Sequence, residues 1–265
     1  MTISAETPAR SVRFQWLRVL FALMVREMGA KFGRSAGGYF WAIAEPLGGI
    51  VMLALAFSVA LRSPPIGTSF MFFYATGIIP FSLYRNVEGA ASNAVRSNRG
   101  LLTYPVVTPL DAVLANFVLG TLTMAVVGVI LFAGIILVQD VHVNFDPPRV
   151  LLAMGMAALL GLGVGTLNCV LIGFFPTWKN IWRVVTRPMF LVSGIFFTYE
   201  SVPPAFQQVL WYNPLVHVVG VMRSGFYGVY RDEYVSVPYV LGIALGTFVI
   251  GAWLLRRHAS RLIEQ

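Results

Sequence analysis

The stretch MVREMGAKFGRSAGGYFWAIAEPL, residues 24–47, joins two unlike kinds of chain. Up to Phe32, Gln15, Arg18, Arg26, Glu27 and Lys31 interrupt apolar residues, and the longest unbroken apolar run is Val19 to Val25. A membrane crossing needs about 20 apolar residues, so residues 14–32 read instead as an amphipathic helix lying along a membrane interface. After Gly37-Gly38 the chain is apolar for the length of a span, broken by Glu45-Pro46. The charges of this stretch therefore mark where a surface-lying segment turns into the bilayer.

The rest of the chain supports a polytopic membrane protein. Of 265 residues, 57% are hydrophobic and only 11% charged, with a mean hydropathy of +0.75. Soluble domains carry about a quarter charged residues. Apolar runs at 38–61, 68–88, 110–138, 150–175, 181–199 and 236–255 predict six spans. The fold class is thus an all-α membrane protein: residues 1–36 form a cytoplasmic N-terminus with the interface helix, and 37–265 the transmembrane domain. A cleavable leader fits poorly, because Arg26, Glu27 and Lys31 follow the short apolar run where small residues belong.

Charge sets the orientation. Fifteen of the 19 Lys and Arg lie up to residue 45, in 85–110, in 176–188 and after 255; the other four lie in 62–67, 139–149 and 199–235. Positive charge marks the cytoplasmic side, so both termini are expected inside. The same distribution explains the net charge of +8 without nucleic acid.

Residues 201–234 are apolar but broken by Pro203, Pro204, Asn213-Pro214 and Gly225. Broken helices at membrane depth need protein or a cavity to satisfy the freed backbone. They read as a periplasmic re-entrant helical hairpin before the last span, bending at Asn213-Pro214; a helix resting on the outer leaflet is the other reading. Residues 86–111 are the longest cytoplasmic connection, with Arg96, Arg99, Leu101, Leu102 and Tyr104 suited to docking on another protein.

Several absences narrow the function. No Gly-Lys occurs, so there is no phosphate-binding loop of the Walker type. His142, His217 and His258 are isolated from Cys or carboxylates at ligand spacing, so no metal site is expected. No hydrolase motif is present, and Asp111, Glu88 and Glu45 are too scattered to propose a catalytic pair. The longest apolar runs hold no acid away from their ends, which argues against an ion-driven carrier. Two roles stand open for Glu45: a helix cap at the positive end of the dipole, with Pro46 in the first turn, or a contact with a gate. Arg85 and Glu88, three apart, are expected to pair. Rings at Tyr39-Phe40-Trp41, Phe70 to Tyr74, Phe81, Tyr84 and Trp211-Tyr212 are mostly interfacial belt or core, although aromatic planes also suit the C–H faces of sugars.

Arg26-Glu27, Gly33-Arg34-Ser35, Gly38-Tyr39-Phe40-Trp41 and Glu45-Pro46, followed much later by Trp211-Tyr212-Asn213-Pro214-Leu215, His217 and Arg223, resemble the permease subunit of ABC-2 type exporters. Within that group they are most similar to the inner-membrane permease of capsular polysaccharide export. Where the family is richer in Arg and Tyr after Arg-Glu, this chain has Met28, Ala30 and Phe32. O-antigen and teichoic-acid permeases share the plan, and drug exporters of the same superfamily are a more distant alternative.

The resemblance implies a transporter subunit, not an enzyme, in the bacterial inner membrane. It implies a homodimer with two ABC ATPase subunits that carry ATP and Mg, this chain holding no cofactor. Its cargo would be a lipid-linked acidic polysaccharide, passed to a periplasmic co-polymerase and an outer-membrane export protein. On this reading Arg26, Glu27, Lys31, Arg96, Arg99 and Tyr104 couple to the ATPase. Tyr39, Trp41, Phe73, Tyr84 and Arg85 line the substrate channel. Trp211, Tyr212, Asn213, Pro214 and Arg223 form the periplasmic gate.

Overall fold

The structure is a computed structural model that describes residues 15–32, 37–102, 107–259 and 261. Ten α-helices occur among them: α1 (Gln15–Phe32), α2 (Gly38–Ala60), α3 (Phe70–Ser97), α4 (Arg99–Leu102), α5 (Pro109–Gln139), α6 (Pro147–Phe174), α7 (Trp178–Leu191), α8 (Pro204–Trp211), α9 (Pro214–Ser224) and α10 (Val237–Arg257). No strand interrupts them among the described residues. The helix starts follow the capping residues in the sequence. Ser69, Thr108, Asp146, Asn213 and Ser236 each accept a backbone N–H of the first turn of α3, α5, α6, α9 and α10, which satisfies donors that have no partner inside the helix. Thr108 and Asp111 form a reciprocal capping box at α5.

α3 is the hub. It packs on α2, α5, α6 and α9, and α10 packs on the far side of α6. Glycines make the α6 seams close. A Cβ on Gly161 would sit 2.8 Å from the Tyr84 carbonyl, and one on Gly165 2.7 Å from the Ala91 Cβ. Between them, Gly163 faces Ala244 of α10, while Gly251 of α10 leaves no room beside Leu167. Small residues at helical spacing let backbones approach where lipid gives no hydrophobic drive for association. The GLGVG of α6 thus serves α3 and α10 at once.

Among the described residues, four helices are long and apolar enough to cross a membrane: Phe40–Ala60, Pro109–Gln139, Pro147–Phe174 and Val237–Arg257. They coincide with four of the six predicted spans. The other two differ instructively. The span predicted at 68–88 is the first part of a 28-residue helix, about 42 Å long at 1.5 Å per residue, which continues through Arg85 and Glu88 to Ser97. Most of residues 86–111 is therefore helix rather than connection. Ser92, Asn93 and Ser97 bond back to carbonyls three or four residues earlier, and Ala91, Ala94 and Val95 are buried.

The span predicted at 181–199 is only a 14-residue helix, about 21 Å against a hydrocarbon core near 30 Å. Pro188 lies in its last turn, and beyond Val192 the chain turns through Gly194 at φ +81°. That conformation suits glycine alone without strain. The predicted break at Asn213-Pro214 separates α8 from α9.

Candidate functional site

Three groups of polar residues stand out against the apolar body. The first is at the end of the bundle where α1, α4 and α7 meet α3. Asn98, fully buried, closes α3 and opens α4, its carbonyl accepting from the Leu101 and Leu102 N–H groups. Its side chain is gripped by α1: Arg26 Nη1 donates to Asn98 Oδ1 at 2.6 Å, and Asn98 Nδ2 donates to Glu27 Oε1 at 2.6 Å. Both are charge-assisted bonds, the stronger kind. Trp16 Nε1 donates to Asp111 Oδ1 at 2.9 Å, tying the same helix to α5. Arg26 and Glu27 therefore hold the α3–α4 elbow of their own chain rather than pointing away from it.

Glu88 corrects the expected pairing with Arg85. Instead of an ion pair with Arg85, its buried carboxylate accepts from Asn168 Nδ2 at 2.8 Å, and Asn168 Oδ1 accepts from Trp178 Nε1 at 2.9 Å. One chain of hydrogen bonds thus crosses α3, α6 and the start of α7. Beyond it Arg96 is exposed and Arg99 half-buried. They share a cavity of about 250 Å³ with Lys179 and Pro176. Tyr104 and residues 33–36 lie outside the described residues, as do the side chains of Lys31 and Tyr39.

The second group explains where Glu45 sits. α2 begins at Gly38, so Glu45 is two turns inside the helix and Pro46 is an interior proline, not a first-turn one. The capping reading fails on that geometry. An interior proline leaves the carbonyl four residues earlier without its helical N–H, and Pro46 is buried while Glu45 is exposed. Glu45 lines a groove of about 530 Å³ between α2, α3, α5 and α7, together with Arg85, Arg187, Phe81 and Phe190. All three charged groups are exposed, and no ion pair within 4.0 Å joins them. Trp41, 66% exposed, stands on α2 one turn before Glu45. Phe73 and Tyr84 are instead buried in the core. In this structure neither presents a surface to a conduit.

The third group lies at the opposite end. Arg223 is 1% exposed. Its Nη1 donates to the Phe197 carbonyl at 2.6 Å and its Nη2 to the Ile195 carbonyl at 3.1 Å, while its guanidinium lies 4.2 Å over the Phe73 ring. It clamps the turn after α7 to α9 and α3. At the α8–α9 joint, Asn213 caps α9 and its Nδ2 donates to the Val192 carbonyl at 2.9 Å. Pro214 takes the first helical position, where its missing N–H costs nothing. Trp211 Nε1 donates to the Tyr234 carbonyl, and the Trp211 ring packs on His217 and Tyr239. Tyr212 is exposed, and its carbonyl accepts from Tyr239 Oη.

His217 is fully buried; its Nδ1 accepts from the Ser236 N–H at 3.2 Å, so Nε2 carries the proton and donates to the Trp211 carbonyl at 2.7 Å. Trp211 to Pro214 and Arg223 thus belong to two adjoining clamps. Four residues that spacing did not single out, Asn98, Asn168, Arg187 and Tyr239, complete the three groups. Of these only Asn98 carried a cue, the Asn98-Arg99-Gly100 that ends a helical pattern.

Residues 18–227 match the profile of the ABC-2 type transporter family. The chain belongs to that family. This ABC-2 protein is 28% identical over 242 residues to the polysialic acid transport protein KpsM of Escherichia coli, covering 91% of this chain and 94% of the relative. It is 28% identical over 249 residues to the capsule polysaccharide export inner-membrane protein CtrC of Neisseria meningitidis serogroup B, covering 94% of each. It is 23% identical over 249 residues, again 94% of each, to the capsule polysaccharide export inner-membrane protein BexB of Haemophilus influenzae. Residues 18–227 include the elbow, the groove and Arg223, whereas Tyr234, Ser236 and Tyr239 of the adjoining clamp lie beyond them.

Proposed function

We propose that this ABC-2 protein is the transmembrane subunit of an ATP-driven exporter that moves a lipid-linked capsular polysaccharide across the bacterial inner membrane. Two copies pair, and two separate ATPase subunits, which bind ATP and Mg, dock on the cytoplasmic side. α2, α3, α5, α6, α7 with the turn after it, and α10 make six passes; α8 and α9 form the re-entrant hairpin; both termini face the cytoplasm. The chain does no covalent chemistry of its own.

The observation that supports export of an acidic, lipid-linked polymer is the groove holding Glu45, Arg85 and Arg187. Guanidinium groups suit phosphate and carboxylate through paired N–H donors. Unpaired charges beside apolar helices are costly unless a ligand or partner meets them. With Trp41 one turn before Glu45, the groove offers a ring for sugar faces and cations for acidic groups, and Tyr39 is assigned to the same channel. Tyr84 supports its wall from behind through the ring of Phe81. The hairpin at Trp211 to Pro214, locked by Arg223, closes the outer end, where a periplasmic co-polymerase and an outer-membrane export protein receive the polymer.

The ATPase contacts fall on Lys31, Arg96, Arg99 and Tyr104. Arg26 and Glu27 act one step behind, by holding the elbow that carries α4. A strain deleted for this chain is expected to lose surface polysaccharide and accumulate it inside, and normal surface polymer would sink the proposal. Complementation with Arg85→Glu plus Arg187→Glu is expected to restore membrane insertion and ATPase co-purification but not export.

A further inference from the structure

The end of the bundle clamped by Arg223 holds a feature that none of these roles uses. The connection from α5 to α6 is pinned to the end of α9. The Asn144 N–H donates to the Phe226 carbonyl at 3.2 Å and the Asp146 N–H to the Gly225 carbonyl at 2.8 Å. On one side of this seam runs a groove of about 460 Å³ between α5 and α6, lined entirely by apolar residues including Val129, Phe132, Val150 and Met154. On the other side opens a cavity of about 660 Å³ whose lining includes Asp146, Arg149, Arg231, Asp232 and Glu233. Phe145, 55% exposed, lines both. A purely apolar channel therefore runs into a strongly charged one at a single residue.

The charges have a definite balance. Arg149 lies between Asp146 at 3.4 Å and Asp232 at 3.1 Å, and Asp232 also accepts from Ser224 Oγ at 2.8 Å. Arg231 faces Glu233 at 3.8 Å, and both are more than four-fifths exposed. Three carboxylates thus face two guanidiniums. One carboxylate's worth of charge is left for a cation, while Arg231, loosely held, is free to meet an anion.

We infer that this composite site holds one phospholipid with a primary-amine headgroup. An acyl chain lies in the α5–α6 groove, the ammonium meets Asp146 and Glu233, and the phosphate meets Arg231. An ammonium brings three donors to the surplus carboxylate. A purely anionic headgroup would meet that surplus with repulsion, a choline headgroup has no N–H to donate, and a soluble cation or sugar has no use for the apolar groove. The position suits a bilayer, because two long apolar helices end here at headgroup level. The inference stands whether or not the exported cargo is capsule.

The test is native mass spectrometry of the full-length protein released from nanodiscs containing equal parts phosphatidylethanolamine and phosphatidylglycerol. Retained phosphatidylethanolamine is expected to exceed phosphatidylglycerol about tenfold, the effect of one charge-assisted hydrogen bond. Asp146→Asn with Glu233→Gln is expected to bring the ratio to parity while lipid is still retained. Val129→Trp, at a position 69% exposed, is expected to fill the groove and lower total retained lipid without shifting the melting temperature. Equal retention of the two lipids by the unaltered protein, an unchanged ratio in the carboxylate double variant, or unchanged total lipid in the Val129→Trp variant would each overturn the inference.

Discussion

The two halves of α3 are held in place by different physics. From Phe72 to Tyr84, its first half, it is bound by rings and close backbone contact. Phe72 meets Phe226 and Phe132, Phe73 lies under Arg223, and Gly77 leaves only 3.0 Å for a Cβ beside Ile195 Cα. From Asn86 to Asn98, its second half, the long-range links include single side-chain hydrogen bonds, Glu88 to Asn168 and Asn98 to Arg26 and Glu27. Packing contacts are many and collectively strong, whereas one hydrogen bond contributes a net of about 1 kcal/mol. Gly165 brings α6 just as close to the second half, at Glu88 and Ala91, so what sets that half apart is the side-chain hydrogen bonds added to its packing, which a few groups can tie and untie.

The sharpest way to break this contrast is Arg223→Ala. It removes two charge-assisted bonds to carbonyls and the contact with Phe73, and it leaves the turn at 195–197 without its clamp. A loss of about 3 kcal/mol or more is expected from such bonds, read by thermal unfolding in detergent. Arg223→Lys is expected to recover only part of it, because an ammonium does not present a planar fork to two carbonyls. Unaltered stability in Arg223→Ala would show that the first half does not depend on the clamp.

Next in size is a pair of changes within α6. Gly165→Val places a branched side chain where even a Cβ meets Ala91 and the Glu88 carbonyl at 2.7 and 2.8 Å, and overpacking of that kind costs about 1–3 kcal/mol. Gly155→Ala, in the same helix with nothing within 4 Å, is expected to be neutral or to stabilise by up to about 1 kcal/mol. Equal effects at the two positions would mean that helix propensity, not the close seam with α3, governs α6.

The elbow separates stability from function. Asn98→Ala loses both bonds to α1, and a modest loss of about 1–2 kcal/mol is expected. On the proposed function, export should fall much further than stability, because α4 is no longer held by α1. In a double-mutant cycle, Arg26→Ala with Asn98→Ala should show a coupling of about 0.5 kcal/mol or more. Additive effects would mean that the link carries nothing.

The same contrast explains what the sequence made legible. Long apolar runs placed α2, α5, α6 and α10 to within a few residues, because a lipid-facing helix advertises itself by composition alone. The second half of α3 read as a connection with room for a short separate helix, because Asn86, Ser92, Asn93 and Ser97 are polar, rather than as a continuation of the span. Ser92, Asn93 and Ser97 remain helical by bonding back to carbonyls of the same helix, and the Asn86 side chain packs against Gly120 of α5. Asn98 and Arg26 lie 72 residues apart, and Asn168 and Glu88 lie 80 apart. No local spacing announces such a pair. Glu45 on α2 and Arg187 on α7 line one groove although they lie far apart in the chain, which no local spacing announces either.

The finest test is at Glu88, where charge and hydrogen bonding are separable. Glu88→Gln keeps an oxygen to accept from Asn168 Nδ2, so the α3–α6–α7 chain survives and stability is expected to change by no more than about 1 kcal/mol. Glu88→Leu leaves Asn168 Nδ2 buried without its acceptor, which costs about 1–3 kcal/mol and loosens the start of α7 through Trp178. If thermal unfolding ranks the Gln variant with the Leu variant, the ionised carboxylate itself holds the second half together. If both match the unaltered protein, α3 and α6 are held by the glycine seam well past Glu88, and the division of α3 into two halves moves along the helix to Asn98.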